Sequence, residues 1–265
     1  MNRGIIRAFF LILSAALVAA PLCACTMTNT PRALQELNRM KAERYFSNRT
    51  QAEFVAAIGR GEVEHAQRLL NEGATVNAVG DEGMTALYWA IIKQSFTGFR
   101  FLLERGADPG TVTRWPDGNG VEQWASVLEF AAMLEDSRYI RALLDAGADP
   151  NQVVNASQQT AIYHALLHRR YENIALLLER EADINYQLSR SSSTPIAEAV
   201  DMRAYAVAVF LLRAGADPTL RNRWGYSPID TVKKRGLAGT VIGSEDEAAF
   251  PEFVAELKRR GLWDK

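Results

Sequence analysis

Cysteine and histidine are scarce in this chain, which has two Cys and three His among 265 residues. Both cysteines lie near the start, at Cys23 and Cys25, so the remainder of the chain has no thiol for an internal disulfide. No G-x-S-x-G nucleophile motif occurs, and the Gly-rich stretch 236–247 lacks the G-x-x-x-x-G-K arrangement that binds phosphate. These absences argue against catalysis, and we expect a non-enzymatic protein without a cofactor.

An excess of positive charge is missing as well. The chain has 30 Lys and Arg against 31 Asp and Glu, and its net charge is −1. Proteins that bind nucleic acid carry a basic surplus, because each neutralised phosphate releases counterions and strengthens binding. We therefore expect no nucleic-acid partner.

One long apolar run is present, and it lies at the start of the chain. Arg3 and Arg7 precede residues 8–20, which are apolar except for Ser14. The run is short for a membrane span and is typical of a signal peptide. The sequence Leu-Cys-Ala-Cys that ends at Cys25 resembles the bacterial lipobox, which implies that residues 1–24 are removed and that Cys25 carries lipid. An ordinary signal peptide, cut nearby, is the alternative.

The same resemblance implies a location in the cell. Thr26 follows the lipidation position, and in bacterial lipoproteins a residue other than Asp there directs the protein to the outer membrane. We expect residues 25–31 to form a polar tether. The protein would then face the periplasm and contact the membrane only through the lipid on Cys25.

Five similar phrases recur along the rest of the chain. They are LLNEGATVN, LLERGADPG, LLDAGADPN, LLEREADIN and LLRAGADPT, ending at Asn77, Gly110, Asn151, Asn185 and Thr219. Successive glycine positions of the phrases are 33, 41, 34 and 34 residues apart, with Glu181 in place of one Gly. A period in the low thirties is typical of proteins that stack one small structural unit.

A helix-start signal lies between successive phrases. The residues Thr85, Ser126, Thr160, Thr194 and Ser227 open short apolar runs such as TALYWA and TPIAEA. A Ser or Thr hydroxyl at this point can accept a hydrogen bond from an unpaired N–H of the first helical turn. The openings and closings resemble the T-P-L-H-x-A and L-L-x-x-G-A-D-x-N motifs of the ankyrin repeat, over roughly residues 51–263. This resemblance implies an all-α ankyrin-repeat solenoid of stacked helical hairpins, with the repeats in residues 51–235.

Apolar spacing at both ends of the repeats predicts caps. Leu34, Leu37 and Tyr45 indicate a capping helix within residues 32–50, while Phe253 and Leu257 indicate a C-terminal cap within residues 236–265. Capping elements close the exposed apolar faces of the terminal repeats.

Two other patterns invite a chemical interpretation. His164 and His168 have the i, i+4 spacing of metal ligands, but their motif lacks the Glu of H-E-x-x-H, and we expect no metal site. Asp residues recur at one position of the closing phrase, where a short carboxylate can bond to nearby backbone N–H groups, and we expect turn residues there: Asp108, Asp149, Asp183 and Asp217.

The resemblance also implies a binding surface. In ankyrin repeats the residue after the His position, and the one three further on, face the concave groove. Carried over to this sequence, these positions are Trp89, Ile92, Phe130, Met133, His164, Leu167, Glu198 and Asp201. We expect an exposed apolar strip that becomes acidic at its end, and such patches commonly mark a protein partner. Burial by loops or by packing between repeats is the alternative.

The longest interval between phrases contains an insertion from Arg114 to Trp124. Its centre, Trp-Pro-Asp-Gly, is a strong turn signal, and lengthened repeats often extend a loop on the binding side. Trp115 and Trp124 flank the turn and are candidate binding residues. They are equally suited to hold the loop against the body of the protein.

Together these features predict a non-enzymatic protein-interaction module, attached by lipid in the bacterial envelope. A sharper alternative is an immunity or inhibitor protein that neutralises a toxin or lipase reaching the periplasm. The competing class, a periplasmic enzyme or small-ligand receptor, would require a closed pocket with convergent polar groups.

Overall fold

Residues 40–116, 122–154, 158–235 and 248–263 are described by a computed structural model of the protein. The predicted leader, the tether, Cys25, Leu34 and Leu37 lie outside these residues. The described residues divide into two compact units, the first before residue 155 and the second from residue 158 on. Both units consist mainly of short paired helices, which confirms the helical hairpins predicted from the repeat spacing.

The first unit contains six α-helices, two short 3₁₀ helices and two strands within its described residues. In chain order they are a 3₁₀ helix Ala42–Arg44, α1 Arg49–Arg60, α2 Val63–Asn71, a 3₁₀ helix Asp81–Gly83, α3 Ala86–Ile92, α4 Phe96–Glu104, β1 Val112–Pro116, β2 Glu122–Ser126, α5 Val127–Met133 and α6 Arg138–Asp145. The strands were not predicted. They pair in antiparallel register from Val112↔Ser126 to Pro116↔Glu122, so the insertion begins and ends as a β-hairpin.

The second unit contains six more helices within its described residues. They are α7 Ala161–Leu167, α8 Tyr171–Glu179, α9 Pro195–Asp201, α10 Tyr205–Arg213, α11 Pro228–Arg235 and α12 Phe250–Arg259. The last of these buries Phe250, Phe253 and Leu257 and is followed by Gly261, whose φ is +65°. Among the described residues of the chain, no helix combines the length and the apolar character needed to cross a membrane.

Side chains of the opening motif cap most of the first helices, as predicted. The hydroxyls of Thr85, Ser126 and Thr194 accept backbone N–H bonds three residues later, at 3.4, 3.1 and 3.3 Å. Ser227 and Asp230 form a reciprocal pair, in which each side chain accepts from the other residue's backbone N–H. Thr160 is the exception, because its side chain makes no capping bond to α7.

Within each unit, neighbouring hairpins stack through their apolar faces. Helix α3 contacts α1 and α5, and α4 contacts α2 and α6, while in the second unit α9 contacts α7 and α11. The residues in these contacts recur at one position of the repeat and are fully buried, as at Leu102, Leu143, Leu177 and Leu211. Short helices that bury little surface alone gain their stability from such adjacent interfaces.

The segment before the first hairpin covers the start of the first unit. Met40, Tyr45 and Phe46 are buried, although residues 40–48 form one 3₁₀ turn instead of a continuous capping helix. The ammonium group of Lys93 donates a hydrogen bond to the Met40 carbonyl at 3.0 Å. This segment therefore lies against α3, where the sequence predicted an exposed surface.

Each segment that joins the second helix of one hairpin to the first helix of the next is called a finger below. The first finger comprises residues 72–85 and the last finger residues 214–227. In four fingers an Asp carboxylate accepts a hydrogen bond from the backbone N–H two residues later, at 2.8–2.9 Å. The predicted turn role is thus confirmed for Asp108, Asp149, Asp183 and Asp217.

Candidate interaction surface

The predicted apolar strip is largely buried. Trp89, Ile92 and Phe130 expose only 2%, 7% and 3% of their surface. The ring of Tyr45 packs edge-on against the ring of Trp89, with 6.1 Å between the ring centroids. Gly59 also lies close to Trp89, because a Cβ at residue 59 would be only 2.5 Å from the Trp89 Nε1 atom. The predicted exposure of these three residues is therefore wrong.

Phe130 is buried for a different reason. Its ring packs edge-on against Tyr88 at 4.8 Å, so the first helices of adjacent hairpins meet at this position. Trp89 and Phe130, the aromatic residues at the predicted groove positions (the groove register), are thus buried by packing. Burial of this kind is the alternative that the sequence left open.

The remaining positions of the predicted strip are more accessible. Met133, Leu167, His164 and Glu198 are half-buried, and Asp201 is exposed. Burial raises the pKa of the Glu198 carboxyl, and the nearby Asp201 charge acts in the same direction, against a hydrogen bond from Ser193. Whether a partner contacts these side chains remains a prediction.

The two helix-borne histidines are neutral at physiological pH. Burial lowers the pKa of His164 to about 4, and His168, once protonated at acid pH, adds to this effect by charge repulsion. Burial, followed by the charge of Arg170, likewise lowers the pKa of His168 to about 4. Within the described part of the chain, no group of three or more His, Cys, Asp or Glu residues is arranged to hold a metal ion.

The β-hairpin presents one of the two predicted tryptophans to solvent. Trp124 on β2 is 40% exposed, and the guanidinium carbon of Arg114 lies 5.9 Å from its ring centroid. Thr113 anchors the hairpin by donating a hydrogen bond to the Gly83 carbonyl at 3.0 Å. The side chain of Trp115 and the tip of the insertion lie outside the described residues.

The last finger carries two exposed aromatic residues that the sequence analysis did not select. Trp224 is 65% exposed and Tyr226 is 44% exposed. Their sequence, Trp-Gly-Tyr, immediately precedes the capping residue Ser227. An aromatic pair in a polar turn was the available signal, because turn residues have no core to fill.

Comparison with known proteins decides the family. The family described as "Ankyrin repeats (3 copies)" matches residues 22–113 and 128–222, well over half of the chain. The chain belongs to the ankyrin-repeat family. The ankyrin repeat domain of Bcl-3, described as a unique member of the IkappaB protein family, is a solved structure similar to it, with a TM-score of 0.61 and 25% identity. That likeness covers 78% of this chain and 85% of the Bcl-3 chain.

Two curated relatives are similar over part of their length. Protein PhlB of Serratia liquefaciens is 32% identical over 131 residues, which is 49% of this chain and 53% of PhlB. The mitochondrial disaggregase of Bos taurus is 33% identical over 129 residues, covering 38% of this chain and 19% of the disaggregase. The chain thus spans about half or less of the length of these relatives.

Membership of the ankyrin family defines the general role of the chain. Ankyrin repeats are protein–protein interaction modules, and domains of this family are typically non-enzymatic.

This chain departs from the family motif at the His position, which is Tyr in two repeats. The Tyr88 hydroxyl donates toward the Ala125 and Ser126 carbonyls at 3.2 and 3.3 Å, and the equivalent Tyr163 hydroxyl lies 2.7 and 2.8 Å from two carbonyls of the following finger.

These tyrosines fix the fingers relative to the hairpins that precede them. Burial raises the pKa of both hydroxyls, so they remain neutral donors at physiological pH. Each acceptor carbonyl lies in the finger that follows the tyrosine along the chain. The arrangement holds the exposed loops of this ankyrin protein in defined positions, as a binding surface requires.

Proposed function

We propose that this chain is a non-enzymatic adaptor of the bacterial envelope, attached to the membrane by lipid on Cys25 and binding another protein through its fingers. The observation that carries the proposal is the distribution of exposed aromatic residues. Trp124 and Trp224 are exposed on fingers, whereas Trp89 and Phe130 of the groove register are buried. Tryptophan is enriched at protein interfaces, because its large ring contributes contact area at little entropic cost.

The lipid attachment is supported by the sequence alone. Arg3, Arg7, the apolar run 8–20 and the lipobox-like ending at Cys25 are all features of an exported lipoprotein. Thr26 favours the outer membrane. A finger-binding adaptor fixed at the membrane would recruit its partner to the envelope surface.

The immunity or inhibitor alternative has two grounds, a resemblance to lipid-anchored repeat proteins that act as immunity partners and an exposed apolar strip next to acidic residues. Because Trp89, Ile92 and Phe130 are buried, that strip gives it no support. A general adaptor role requires only the family membership and the exposed fingers. We therefore propose the adaptor.

Cross-linking in an envelope extract tests the proposal. The full-length protein, purified in detergent, is immobilised and cross-linked to extract proteins, and the captured partner is then purified. We expect Trp124→Ala to weaken binding of that partner by about 1–3 kcal/mol while leaving the melting temperature unchanged, because the side chain is exposed.

Phe130→Ala is the matched control for the stability measurement, since it removes a buried aromatic residue of the first unit where Trp124→Ala removes an exposed one. It should lower the free energy of unfolding by about 3–5 kcal/mol, because the ring is buried. Failure to retain any protein specifically would contradict the adaptor role. Unchanged affinity in Trp124→Ala would exclude the hairpin from the binding surface.

A further inference from the structure

The last finger is held in one conformation by a dense set of hydrogen bonds. The Asn222 carboxamide oxygen accepts from the N–H groups of Trp224 and Tyr226, at 3.0 and 3.1 Å. The Asn222 N–H donates to the Tyr226 carbonyl at 2.9 Å, and Gly225 has a φ of +82°. The two aromatic residues are therefore presented on a closed, ordered turn, and little conformational entropy is lost when a partner binds.

This turn is also fixed to the preceding finger of the second unit. The N–H of Arg223 donates to the Ser191 carbonyl at 2.8 Å, and its guanidinium donates to the Arg190 carbonyl at 2.7 Å. Gln187 donates to the carbonyls of Ser192 and Arg221. The finger is thus a rigid edge of the unit, on which exposed side chains keep their spacing.

The turn itself does not require these side chains. In the first finger the equivalent turn is closed by the equivalent backbone bond, in which Gly80 N–H donates to the Met84 carbonyl at 2.8 Å. The positions of Arg223 and Trp224 are occupied there by Asp81 and Glu82. Because acidic residues occupy the equivalent positions of a turn with the same closing bond, that bond does not explain a basic residue and a 65% exposed tryptophan in the last finger.

Positive charge surrounds the two aromatic rings. The Arg223 guanidinium carbon lies 5.8 Å from the Trp224 ring centroid, and the Lys234 ammonium nitrogen lies 5.0 Å from that of Tyr226. Both basic side chains are exposed, and the described residues form no ion pair with either. Arg221, by contrast, is paired with Asp230 at 2.7 Å.

We propose that Trp224, Tyr226, Arg223 and Lys234 form a docking surface for an acidic protein segment that also carries apolar side chains. Carboxylates of the partner would pair with the two cations, while its apolar side chains would cover the exposed indole and phenol rings. Complementary charge steers the encounter and fixes the register, and a central tryptophan contributes most of the affinity. This inference rests on the proposed function as a protein-binding adaptor and specifies one of its surfaces.

Selection from a random peptide library tests the docking surface. The full-length protein in detergent is the bait, and the affinity of each selected peptide is measured by fluorescence anisotropy. We expect the selected peptides to be rich in Asp and Glu beside apolar residues and to bind less tightly as salt concentration rises. Trp224→Ala and the double variant Arg223→Gln/Lys234→Gln should each weaken binding by roughly tenfold or more.

The chain offers matched controls for both changes. Val79→Ala removes an exposed apolar side chain from the first finger, and Arg100→Gln removes an exposed cation from α4. Neither should change peptide affinity. Thermal melting of every variant shows that the loss of binding does not arise from unfolding.

Each outcome decides a different part of the inference. Peptides that bind the Trp224→Ala variant with full affinity, or that have no acidic excess, would overturn the docking surface and leave the adaptor role standing. Recovery of no peptide, together with no cross-linked partner in the envelope extract, would overturn both. Binding to vesicles of anionic lipid that is tighter than to any peptide, and lost in the same variants, would identify a membrane surface and overturn the inference.

Discussion

At the scale of single residues, the repeat imposes left-handed backbone on side chains that do not favour it. Four of the five closing phrases place Gly there, with φ between +82° and +107°, but Glu181 occupies the fourth position with a φ of +66°. The turn between paired helices repeats the pattern, since Gln94, Arg169 and Arg203 have φ values of +55°, +55° and +58°. The Gly of the closing phrase marks the first of these positions in the sequence. The second position carries a Gly only at Gly61, so the sequence gives little sign of it.

Glu181→Gly should therefore stabilise the protein. A residue with a Cβ pays about 1 kcal/mol in this conformation relative to Gly, and we expect the free energy of unfolding to rise by about that amount. Chemical denaturation with urea measures the change. The reciprocal variant Gly215→Glu should lower the free energy of unfolding by at least as much, because its φ of +107° lies further from the left-handed region that side chains tolerate. A Cβ there meets no neighbouring atom within 4 Å, so the loss would arise from the backbone and not from a clash. Equal stability of wild type and Glu181→Gly would show that residue 181 is not strained.

At the scale of a helix, two adjacent leucines of α8 differ in burial although they are the same residue type. Leu177 is fully buried between hairpins, whereas Leu178 is half-buried. Both occupy the Leu-Leu pair of the closing phrase, so the repeat pattern alone does not distinguish them. Their different burial provides a matched pair of substitutions.

Leu177→Ala should lower the free energy of unfolding by about 2–5 kcal/mol, because it leaves a cavity in a packed interface. Leu178→Ala should cost clearly less, since its side chain already meets water. Urea unfolding of the two variants gives the comparison. Similar losses in both would mean that the register of α8 in the interface is different from the one described.

Helix α7 should also make stability sensitive to acid. Burial lowers the pKa of His164 and His168 from 6.5 to about 4, so the unfolded chain takes up protons that the folded chain resists. The stabilisation from the neutral imidazoles is therefore complete above pH 6.5 and is lost as the pH falls from there toward about 4.

The double variant His164→Gln/His168→Gln should lose less stability than wild type between neutral pH and about pH 5. Free energies of unfolding at the two pH values measure the difference. An unchanged pH dependence would assign the acid sensitivity to other groups.

The elements show which features of the fold follow from sequence and which do not. The repeat period and the Ser and Thr caps predicted the hairpins, because both act locally and recur. The burial of Trp89 could not be predicted, since it depends on Tyr45, a residue of the preceding segment without a repeat of its own. The strands around Trp124 were missed because five residues on each side of a turn give no clear alternating pattern.

At the scale of the whole molecule, the proposed function depends on how the chain is attached to the envelope. The described residues account for the repeats, while Cys23 and Cys25 lie before them. The proposed lipidation places the lipid on Cys25 and not on Cys23, because Pro21 and Leu22 precede Cys23 at positions where the lipobox requires other residues.

Cys25→Ser should abolish incorporation of a fatty-acid analogue and release the protein from the membrane fraction. Cys23→Ser is the control and should leave both labelling and membrane attachment intact. Metabolic labelling followed by cell fractionation decides between them. Equal labelling of wild type and Cys25→Ser would refute the assignment.

The different exposure of two indole rings gives each unit its own optical signal. Trp89 is buried within the first unit, so its fluorescence emission should move to longer wavelength when that unit unfolds and the ring meets water. Trp224 belongs to the second unit and already meets solvent, so its emission should change little on unfolding but strongly when a ligand covers the ring. In a variant that keeps Trp89 and Trp224 and has Phe at the other three tryptophans, a single spectrum follows both the folding of one unit and the occupancy of the other.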